Sequence, residues 1–154
     1  MPNLRIRLAV ADDLDVLSAL AFRAKAHWGY SAAFMNACRD ELTLRPEDLA
    51  TKFVYVGVFD EKPIGYYTLE GIDASAMELD ALFVDPQHIG HGYGRVLLQH
   101  ALTTAAATGA QRLVIQSDPN AVGFYEAMGG VVVGKRASDS IPGRVLPILH
   151  LALS

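Results

Sequence analysis

The pattern of hydrophobic and polar positions predicts that the chain begins with one strand and two helices. Residues 4–8 alternate between aliphatic side chains and arginine, which is typical of a half-buried strand. Asp12 or Asp13 can begin the first helix, whose apolar positions recur every three or four residues. Ser31 can cap a second helix that extends to Leu42.

The rest of the chain is predicted to form six more strands and two more helices. The strands are expected at 53–59, 64–69, 77–84, 112–116, 131–135 and 146–153. The third helix follows a glycine-rich loop and ends near Thr108, and the fourth covers 121–128. The resulting order is β-α-α-β-β-β-α-β-α-β-β, with no repeat or linker.

Composition and charge favour a single domain, 1–154, and exclude several classes of function. Hydrophobic residues make up 51% of the 154 residues, enough for a full core. A net charge of −4 leaves no basic stripe for a nucleic acid. The single cysteine, Cys38, excludes an internal disulfide and suits a reducing compartment. With no signal peptide and no membrane-spanning apolar stretch, we expect a cytoplasmic protein without membrane contact.

Three alternate glycines, Gly90, Gly92 and Gly94, lie between the predicted end of a strand and the start of a helix. Glycine lets the backbone pass close to a ligand, because it has no Cβ atom. The first turn of the helix offers unpaired N–H groups and the positive end of the helix dipole. Several such contacts, at about 1.5–3 kcal/mol each, can hold a pyrophosphate. The loop is therefore predicted to bind phosphate.

The glycine spacing distinguishes between known phosphate-binding loops. A Rossmann fingerprint needs Gly-x-Gly-x-x-Gly, and a nucleotide P-loop needs Gly-Lys-Ser/Thr, and this loop has neither. The segment instead resembles the coenzyme A loop of the GNAT superfamily of acyl-CoA-dependent N-acyltransferases. The matching residues are Val84, Pro86, Gly90, Gly92, Gly94, Leu97 and Leu98. Ile89 departs from the usual Arg or Gln, which removes one side-chain contact and leaves the backbone amides.

A second segment, 118–129, resembles the family's Asn-Ala-x-x-Phe-Tyr-x-x-x-Gly motif, at the family's separation from the glycine loop. The resemblance implies that Asn120 holds the pantetheine part of the cofactor. It also implies that the Tyr125 hydroxyl lies by the thioester sulfur and protonates the departing thiolate. The implied fold is α/β (α+β layered), with a mixed, mostly antiparallel central sheet of about seven strands flanked by four helices.

The resemblance implies acetyl-CoA as co-substrate and no metal. His88 and His91 lie three residues apart, but no third ligand is close in sequence, so no metal site is expected. The residues implied to bind the cofactor are Leu82, Phe83, Val84, Ile89, Gly90, His91, Gly92, Tyr93, Gly94, Arg95, Asn120 and Phe124.

Two carboxylates on the strand before the glycine loop are candidates for a general base. An alkylamine of pKa about 10.4 is protonated at neutral pH, so a nearby group must accept its proton. Glu78 and Asp80 share one face of the strand, because strand side chains repeat every two residues. Glu78 aligns with the catalytic glutamate of the family's histone-acetylating branch and is our first choice, with Asp80 as the alternate. The amine would attack directly in a ternary complex, with a main-chain amide near 82–84 stabilising the oxyanion.

The acceptor is expected between the first two helices and the last hairpin, as the resemblance implies. Trp28, Tyr30 and either Tyr66 or Tyr67 would form an aromatic wall for a cationic amine; of the last two we choose Tyr67. Arg144 would clamp a carboxylate. A small-molecule or amino-acid-like primary amine is therefore the expected acceptor.

Other functions stay open at this point. A non-catalytic acetyl-CoA-binding sensor would keep the glycine loop without a working acid or base, although Glu78 and Tyr125 are both present. A protein or peptide N-acetyltransferase would apply the same chemistry to a larger acceptor. A pure interaction module accounts for the hydrophobic composition but not for the glycines. Exposed strand edges also leave a homodimer open.

Overall fold

The computed structural model describes residues 4–153, in which seven strands form one sheet. The strands are β1 (Arg5–Leu8), β2 (Phe53–Phe59), β3 (Lys62–Asp73), β4 (Ala76–Val84), β5 (Arg112–Gln116), β6 (Val131–Ala137) and β7 (Val145–Ala152). The α-helices in this range are α1 (Leu14–Ala26), α2 (Ala32–Leu42), α3 (Pro46–Thr51), α4 (Tyr93–Ala107) and α5 (Val122–Ala127). The predicted α/β class and the seven-stranded, mostly antiparallel sheet are confirmed. The helix count is corrected from four to five.

Helix α3 is the element that the hydrophobic pattern missed. It has six residues, too few to show an apolar period. Pro46 at its first position and the acidic first turn are start signals. The Asp48 carboxylate also accepts a hydrogen bond from the Arg45 N–H at 2.8 Å.

The strands lie in the order β1-β2-β3-β4-β5-β7-β6. Neighbouring strands are antiparallel except β4 and β5, which are parallel. Parallel neighbours need a crossover connection, and α4 provides it. The carboxyl ends of β4 and β5 therefore lie side by side, next to the loop that begins α4.

Helices cover both faces of the sheet, each over its own core. Helix α4 packs on one face, here called the α4 face, with Leu97 and Leu98 completely buried. Helices α1 and α2 cover the opposite α1 face, where Leu17, Leu20 and Cys38 are completely buried. Enclosing one such leucine stabilises the fold by about 1.5–3 kcal/mol.

The helix starts follow the sequence signals in part. The Ser31 hydroxyl accepts a hydrogen bond from the Phe34 N–H at 3.1 Å, so the predicted cap of α2 is confirmed. Asp13 precedes α1, but its carboxylate does not cap that helix. It accepts hydrogen bonds from the Val10 N–H at 2.8 Å and from the Arg7 guanidinium at 2.8 Å. This carboxylate ties the start of α1 to β1.

Gly65 on β3 allows α4 to approach the sheet closely. A Cβ atom at this position would lie 2.7 Å from the Phe83 carbonyl oxygen and 2.9 Å from Leu97 Cδ1. Main-chain atoms cannot move aside cheaply, so a side chain here would push the helix from the sheet. Gly71 on the same strand has no atom within 4 Å of a Cβ position.

Strand β4 carries one extra residue, Asp80, relative to β3. Leu69 pairs with Leu79 and Thr68 pairs with Ala81, so Asp80 has no partner on β3. Such a β-bulge bends the strand and re-aims the side chains that follow it.

The bulge reverses the alternation of β4. Met77 and Leu79, before the bulge, pack on the α4 face. Leu82 and Val84, after it, pack on that same face although their positions have changed from odd to even. The strand therefore keeps one face apolar although Asp80 does not pair with β3.

Candidate active site

The candidate site is a cavity of about 900 Å³ at the carboxyl ends of β4 and β5. The two strands pair from Ala76 and Arg112 to Leu79 and Ile115, and no further pair is formed within the described residues. Strand β4 continues to Val84 with hydrogen bonds to β3 alone, so its other edge is open to the cavity. Main-chain groups on such an edge need partners, which an extended ligand carrying amides can supply.

The glycine loop closes one end of the cavity and presents main-chain donors. Gly90 and Gly92 have positive φ angles of 89° and 80°, a region that glycine adopts without strain. The first hydrogen bond of α4 runs from the Val96 N–H to the Gly92 carbonyl at 3.2 Å. In the part of the chain that is described, the N–H groups from Gly90 to Arg95 have no protein acceptor. The loop thus fits the phosphate site predicted for it.

Asp85 anchors this loop to α1. Its carboxylate is 5% exposed and accepts hydrogen bonds from Arg23 at 2.7 Å and from the Gln87 N–H at 3.1 Å. Burial acts to raise the pKa of Asp85, but the Gln87 N–H and the Arg23 guanidinium together hold it below its ordinary value. An Asp-Pro turn is the only local sequence signal of this anchor, and it does not indicate the contact with Arg23.

Most residues expected to bind the cofactor line the cavity. They are Leu82, Phe83, Val84, Ile89, Gly90, Gly92, Tyr93, Gly94, Arg95, Asn120 and Phe124. His91 is exposed and its side chain does not line the cavity, so the glycine loop has only the main-chain N–H of this residue to offer. The Tyr93 ring is buried with its centroid 6.0 Å from that of Phe59, so Tyr93 offers the site its main chain.

Glu78 and Asp80 both line the cavity, but their partners differ. Arg136 on β6 donates a hydrogen bond to Glu78 Oε2 at 3.3 Å. Asp80 Oδ2 lies 3.4 Å from Lys52 Nζ. The Asp80 side chain is 23% exposed while the residue as a whole is exposed, so its open part is largely main chain.

The environment of Asp80 gives it a pKa suited to proton transfer. Burial and the nearby charges of Glu78 and Glu70 raise the pKa of Asp80 to about 7, against the opposing effect of Lys52. A carboxyl group with a pKa near 7 can both accept and release a proton at neutral pH.

Tyr125 reaches the cavity from the α4 face, opposite the two carboxylates. It lies on α5, is 6% exposed and belongs to the core beneath α4. Burial raises the pKa of its hydroxyl, so the group keeps its proton at neutral pH. No group within residues 4–153 forms a hydrogen bond with this hydroxyl. The cavity therefore has a proton acceptor on one wall and a proton donor on the other.

Asn120 is held by a network around the Tyr30 hydroxyl. That hydroxyl donates to Asp118 at 2.7 Å and accepts from Asn120 Nδ2 at 3.1 Å and from Arg144 at 2.8 Å. Asn120 Nδ2 also donates to Asp118 Oδ1 at 2.8 Å. A carboxylate can only accept, so the amide nitrogen must face Asp118. The side-chain oxygen of Asn120, Oδ1, has no hydrogen-bond partner among the described residues.

Arg144, the expected clamp for an acceptor carboxylate, is part of the same network. Its guanidinium lies 4.8 Å from the centre of the Phe34 ring and 5.2 Å from that of the Tyr30 ring. Its Nη2 atom also lies 3.5 Å from Asp118 Oδ2. These contacts join the β6–β7 hairpin to α2 and the β5–α5 loop.

Tyr67 does not form the acceptor wall, which corrects the expectation. It is completely buried on the α4 face, where its hydroxyl lies 2.6 Å from His100 Nδ1 and 3.0 Å from Thr104 Oγ1. Tyr66 lies on the α1 face and lines the cavity instead. Adjacent strand residues face opposite sides, so a choice wrong by one residue places the side chain on the wrong face. Trp28 lines the cavity and is 50% exposed.

Three further features of the described residues concern a membrane, a metal ion and a thiol. No helix within residues 4–153 is long and apolar enough to cross a bilayer. In the same range, no three or more His, Cys, Asp or Glu side chains are grouped so as to hold a metal ion. Cys38 on α2 is completely buried in the core of the α1 face, and burial raises the pKa of its thiol.

Known proteins resemble this chain in both sequence and structure. A model of the acetyltransferase (GNAT) family matches residues 20–130. A Salmonella typhimurium protein named peptidyl-lysine N-acetyltransferase YjaB is 38% identical over 122 residues, or 75% of this chain and 76% of that protein. The Escherichia coli protein of the same name is 37% identical over 112 residues, or 69% and 71%.

Among solved structures, the PaiA N-acetyltransferase of Thermoplasma acidophilum in complex with coenzyme A has the same fold. Its TM-score is 0.78 at 18% identity, with 98% of this chain and 99% of that chain covered.

Proposed function

The chain belongs to the acetyltransferase (GNAT) family, and we propose that its acceptor is a lysine side chain within a protein or peptide. The observation that carries the proposal is an acidic wall on the α1 face of the cavity, formed by Asp48, Glu78 and Asp80, with Glu70 next to it and 3.8 Å from Lys52. Such a wall attracts the ammonium group of a lysine. The names of two relatives, at 38% and 37% identity, support a lysine acceptor.

Acetyl-CoA supplies the activated acetyl group, and the residues of the cavity fit it. The N–H groups from Gly90 to Arg95 suit the pyrophosphate, because they are donors at a helix N-terminus. The open edge of β4 beyond Leu79 suits the amides of the pantetheine arm. The free carbonyl oxygen of Asn120 suits an amide N–H of the same arm.

Asp80 is our choice for the general base. Its pKa of about 7 lies closer to that of the acceptor ammonium than an ordinary carboxyl does. Proton transfer from the ammonium group to Asp80 is therefore less unfavourable than transfer to an ordinary carboxylate. Glu78, the first choice from sequence, is paired with Arg136, and we propose that it orients this arginine and adds charge to the wall.

Tyr125 is the proposed general acid. Its raised pKa keeps the hydroxyl protonated while the acceptor nitrogen forms its bond to the acetyl carbon. As the carbon–sulfur bond breaks, Tyr125 donates its proton to the sulfur. The nitrogen loses its second proton as the amide forms, and this proton restores the Tyr125 hydroxyl. The products are an acetylated lysine and a free thiol, and the proton taken by Asp80 passes to solvent.

The experiment is a release assay for the thiol, with mass spectrometry of the acceptor. The purified protein is mixed with acetyl-CoA and a peptide that has a blocked N-terminus and one lysine. A matched peptide with arginine at that position is the control. We expect thiol release and one added acetyl group with the lysine peptide alone.

Other outcomes of this assay would reject a lysine acceptor. Release with small primary amines and with no peptide would indicate a small-molecule acceptor. Release with an unblocked N-terminus but no lysine would indicate an α-amine acceptor. Binding of acetyl-CoA without release for any amine would indicate a sensor.

A further inference from the structure

Lys52 is a half-buried cation in the acidic wall to which the proposed chemistry gives no role. It follows α3, and its side chain is 24% exposed and lines the cavity. Its Nζ atom lies 3.4 Å from Asp80, 3.7 Å from Asp48 and 3.8 Å from Glu70. One ammonium group thus contacts three carboxylates from α3, β3 and β4.

The carboxylates of the acidic wall are not equally paired with cations. Glu78 has its own cation, since Arg136 on β6 donates a hydrogen bond to it at 3.3 Å. Asp80, Asp48 and Glu70 share Lys52. Asp80 therefore faces acidic groups on β3, β4 and α3, and Lys52 is the cation that contacts it within the described residues.

We propose that Lys52 is a positioning residue for catalysis, whose ammonium group keeps the Asp80 carboxylate ionised at neutral pH. The inference rests on the proposed function, in which Asp80 accepts the proton of the acceptor amine. Lys52 acts through Asp80 and need not touch the substrate.

The electrostatic reason follows from the neighbours of Asp80. Burial, Glu78 and Glu70 raise the pKa of this carboxyl to about 7, and Lys52 acts to lower it. An opposite charge within about 4–6 Å lowers a carboxyl pKa by about 1–3 units, so loss of Lys52 would leave Asp80 protonated at neutral pH. Burial acts to lower the pKa of Lys52, but Asp80, Asp48 and Glu70 raise it overall, so Lys52 keeps its charge.

The test is the pH dependence of kcat/KM with the lysine peptide, from pH 6 to pH 9.5. Lys52→Met removes the charge, Lys52→Arg keeps it, and Lys62→Met changes an exposed lysine at the start of β3. The acid limb of the wild type should have its midpoint near 7, the pKa of Asp80. We expect Lys52→Met to move this midpoint up by about 1–2 pH units and to approach the wild-type plateau at high pH. Lys52→Arg and Lys62→Met should keep the wild-type midpoint.

A midpoint that Lys52→Met leaves unchanged, with activity lowered equally at every pH, would overturn the proposal in favour of a purely structural role. Thermal unfolding of each variant checks that it is folded. Lys52→Gln, which keeps a polar side chain, reports the same midpoint if Lys52→Met does not fold.

An Asp80→Asn variant separates the two proposals. If Asp80→Asn keeps the acid limb of the wild type, Asp80 is not the base, and the proposed role of Lys52 is rejected as well. If it loses that limb while Lys52→Met does not move the limb, the base stands and Lys52 alone is rejected. A wild type that does not acetylate the lysine peptide rejects both.

Discussion

Replacing Asp80 by asparagine should stabilise the protein at alkaline pH while it reduces turnover. The folded environment raises the pKa of Asp80 from 3.8 to about 7. Between these two values the folded state binds more protons than the unfolded state, so Asp80 makes the protein less stable as pH rises through this interval. The destabilisation is absent below pH 3.8 and complete above pH 7.

The size of the effect follows from the same pKa difference. At 1.36 kcal/mol for each pKa unit, ionised Asp80 costs at most about 4 kcal/mol of folding free energy. We expect Asp80→Asn to recover about half of this free energy, roughly 2 kcal/mol. Residual structure in the unfolded chain reduces the difference in pKa between the two states, and the asparagine amide is itself costly to bury. For a domain of this size, that corresponds to a Tm higher by about 4–8 °C.

The assay is thermal unfolding of the wild type and of Asp80→Asn at pH 4 and at pH 8. The variant should unfold at a higher temperature at pH 8 and at nearly the same temperature at pH 4. Glu78→Gln is the matched control on the same strand, and loss of its partly exposed ion pair should change stability by no more than about 1 kcal/mol at either pH. An Asp80→Asn protein that is less stable at pH 8 than the wild type would refute the reasoning.

The kinetic consequence of the same substitutions distinguishes the two carboxylates. A general base contributes about 10²–10⁴ in rate, so Asp80→Asn should lower kcat by that factor at pH 8. Glu78→Gln should retain most of the turnover. The opposite result, with Glu78→Gln inactive and Asp80→Asn active, would restore Glu78 as the base.

Three further substitutions test other parts of the site and the fold. Tyr125→Phe should lower kcat by about 10²-fold or more with an unchanged Kd for acetyl-CoA, since the hydroxyl acts on the leaving sulfur; unchanged turnover would remove Tyr125 from the mechanism. Asp85→Asn breaks the charge pair with Arg23 and should raise the Kd for acetyl-CoA in a calorimetric titration, while an equal Kd would mean that the glycine loop holds its shape alone. Gly65→Ala should destabilise the fold by about 1–3 kcal/mol or more in urea unfolding, whereas Gly71→Ala on the same strand should have little effect, and equal losses would show that close packing of α4 is not the cause.

Much of the fold could be predicted because its elements carry strong local signals. The strand 53–59 was predicted with the bounds of β2, and Ser31 caps α2 as expected. Helix α3 has too few turns for a period, and Pro46 and the acidic first turn are its only local signals. Asp12 or Asp13 is expected to cap α1, but the Asp13 carboxylate binds the Arg7 guanidinium, six residues earlier on β1, instead.

The site was predictable where it is made of contiguous backbone and not where it depends on contacts between distant segments. The glycine loop is one segment with its own spacing rule, so its main-chain donors could be anticipated. The partners of the carboxylates could not, because Lys52 and Arg136 come from elements far from β4 in sequence. The choice of Tyr67 in place of Tyr66 for the cavity wall was wrong for a simpler reason. The alternation of a strand shows which residues share a face, but it does not show which face lies towards the site.

The β-bulge at Asp80 explains an irregular spacing of apolar residues along β4, and this irregular spacing is visible in the sequence. Along this strand the residues that face α4 are Met77, Leu79, Leu82 and Val84, so the spacing is two, then three, then two. A strand that is apolar on one face can skip a position only if one residue leaves the ladder. Since pairing with β5 also ends at Leu79, the residue that leaves, Asp80, lies where β4 becomes open to the cavity. The same insertion therefore keeps the core continuous and places an ionisable side chain beside the open strand edge.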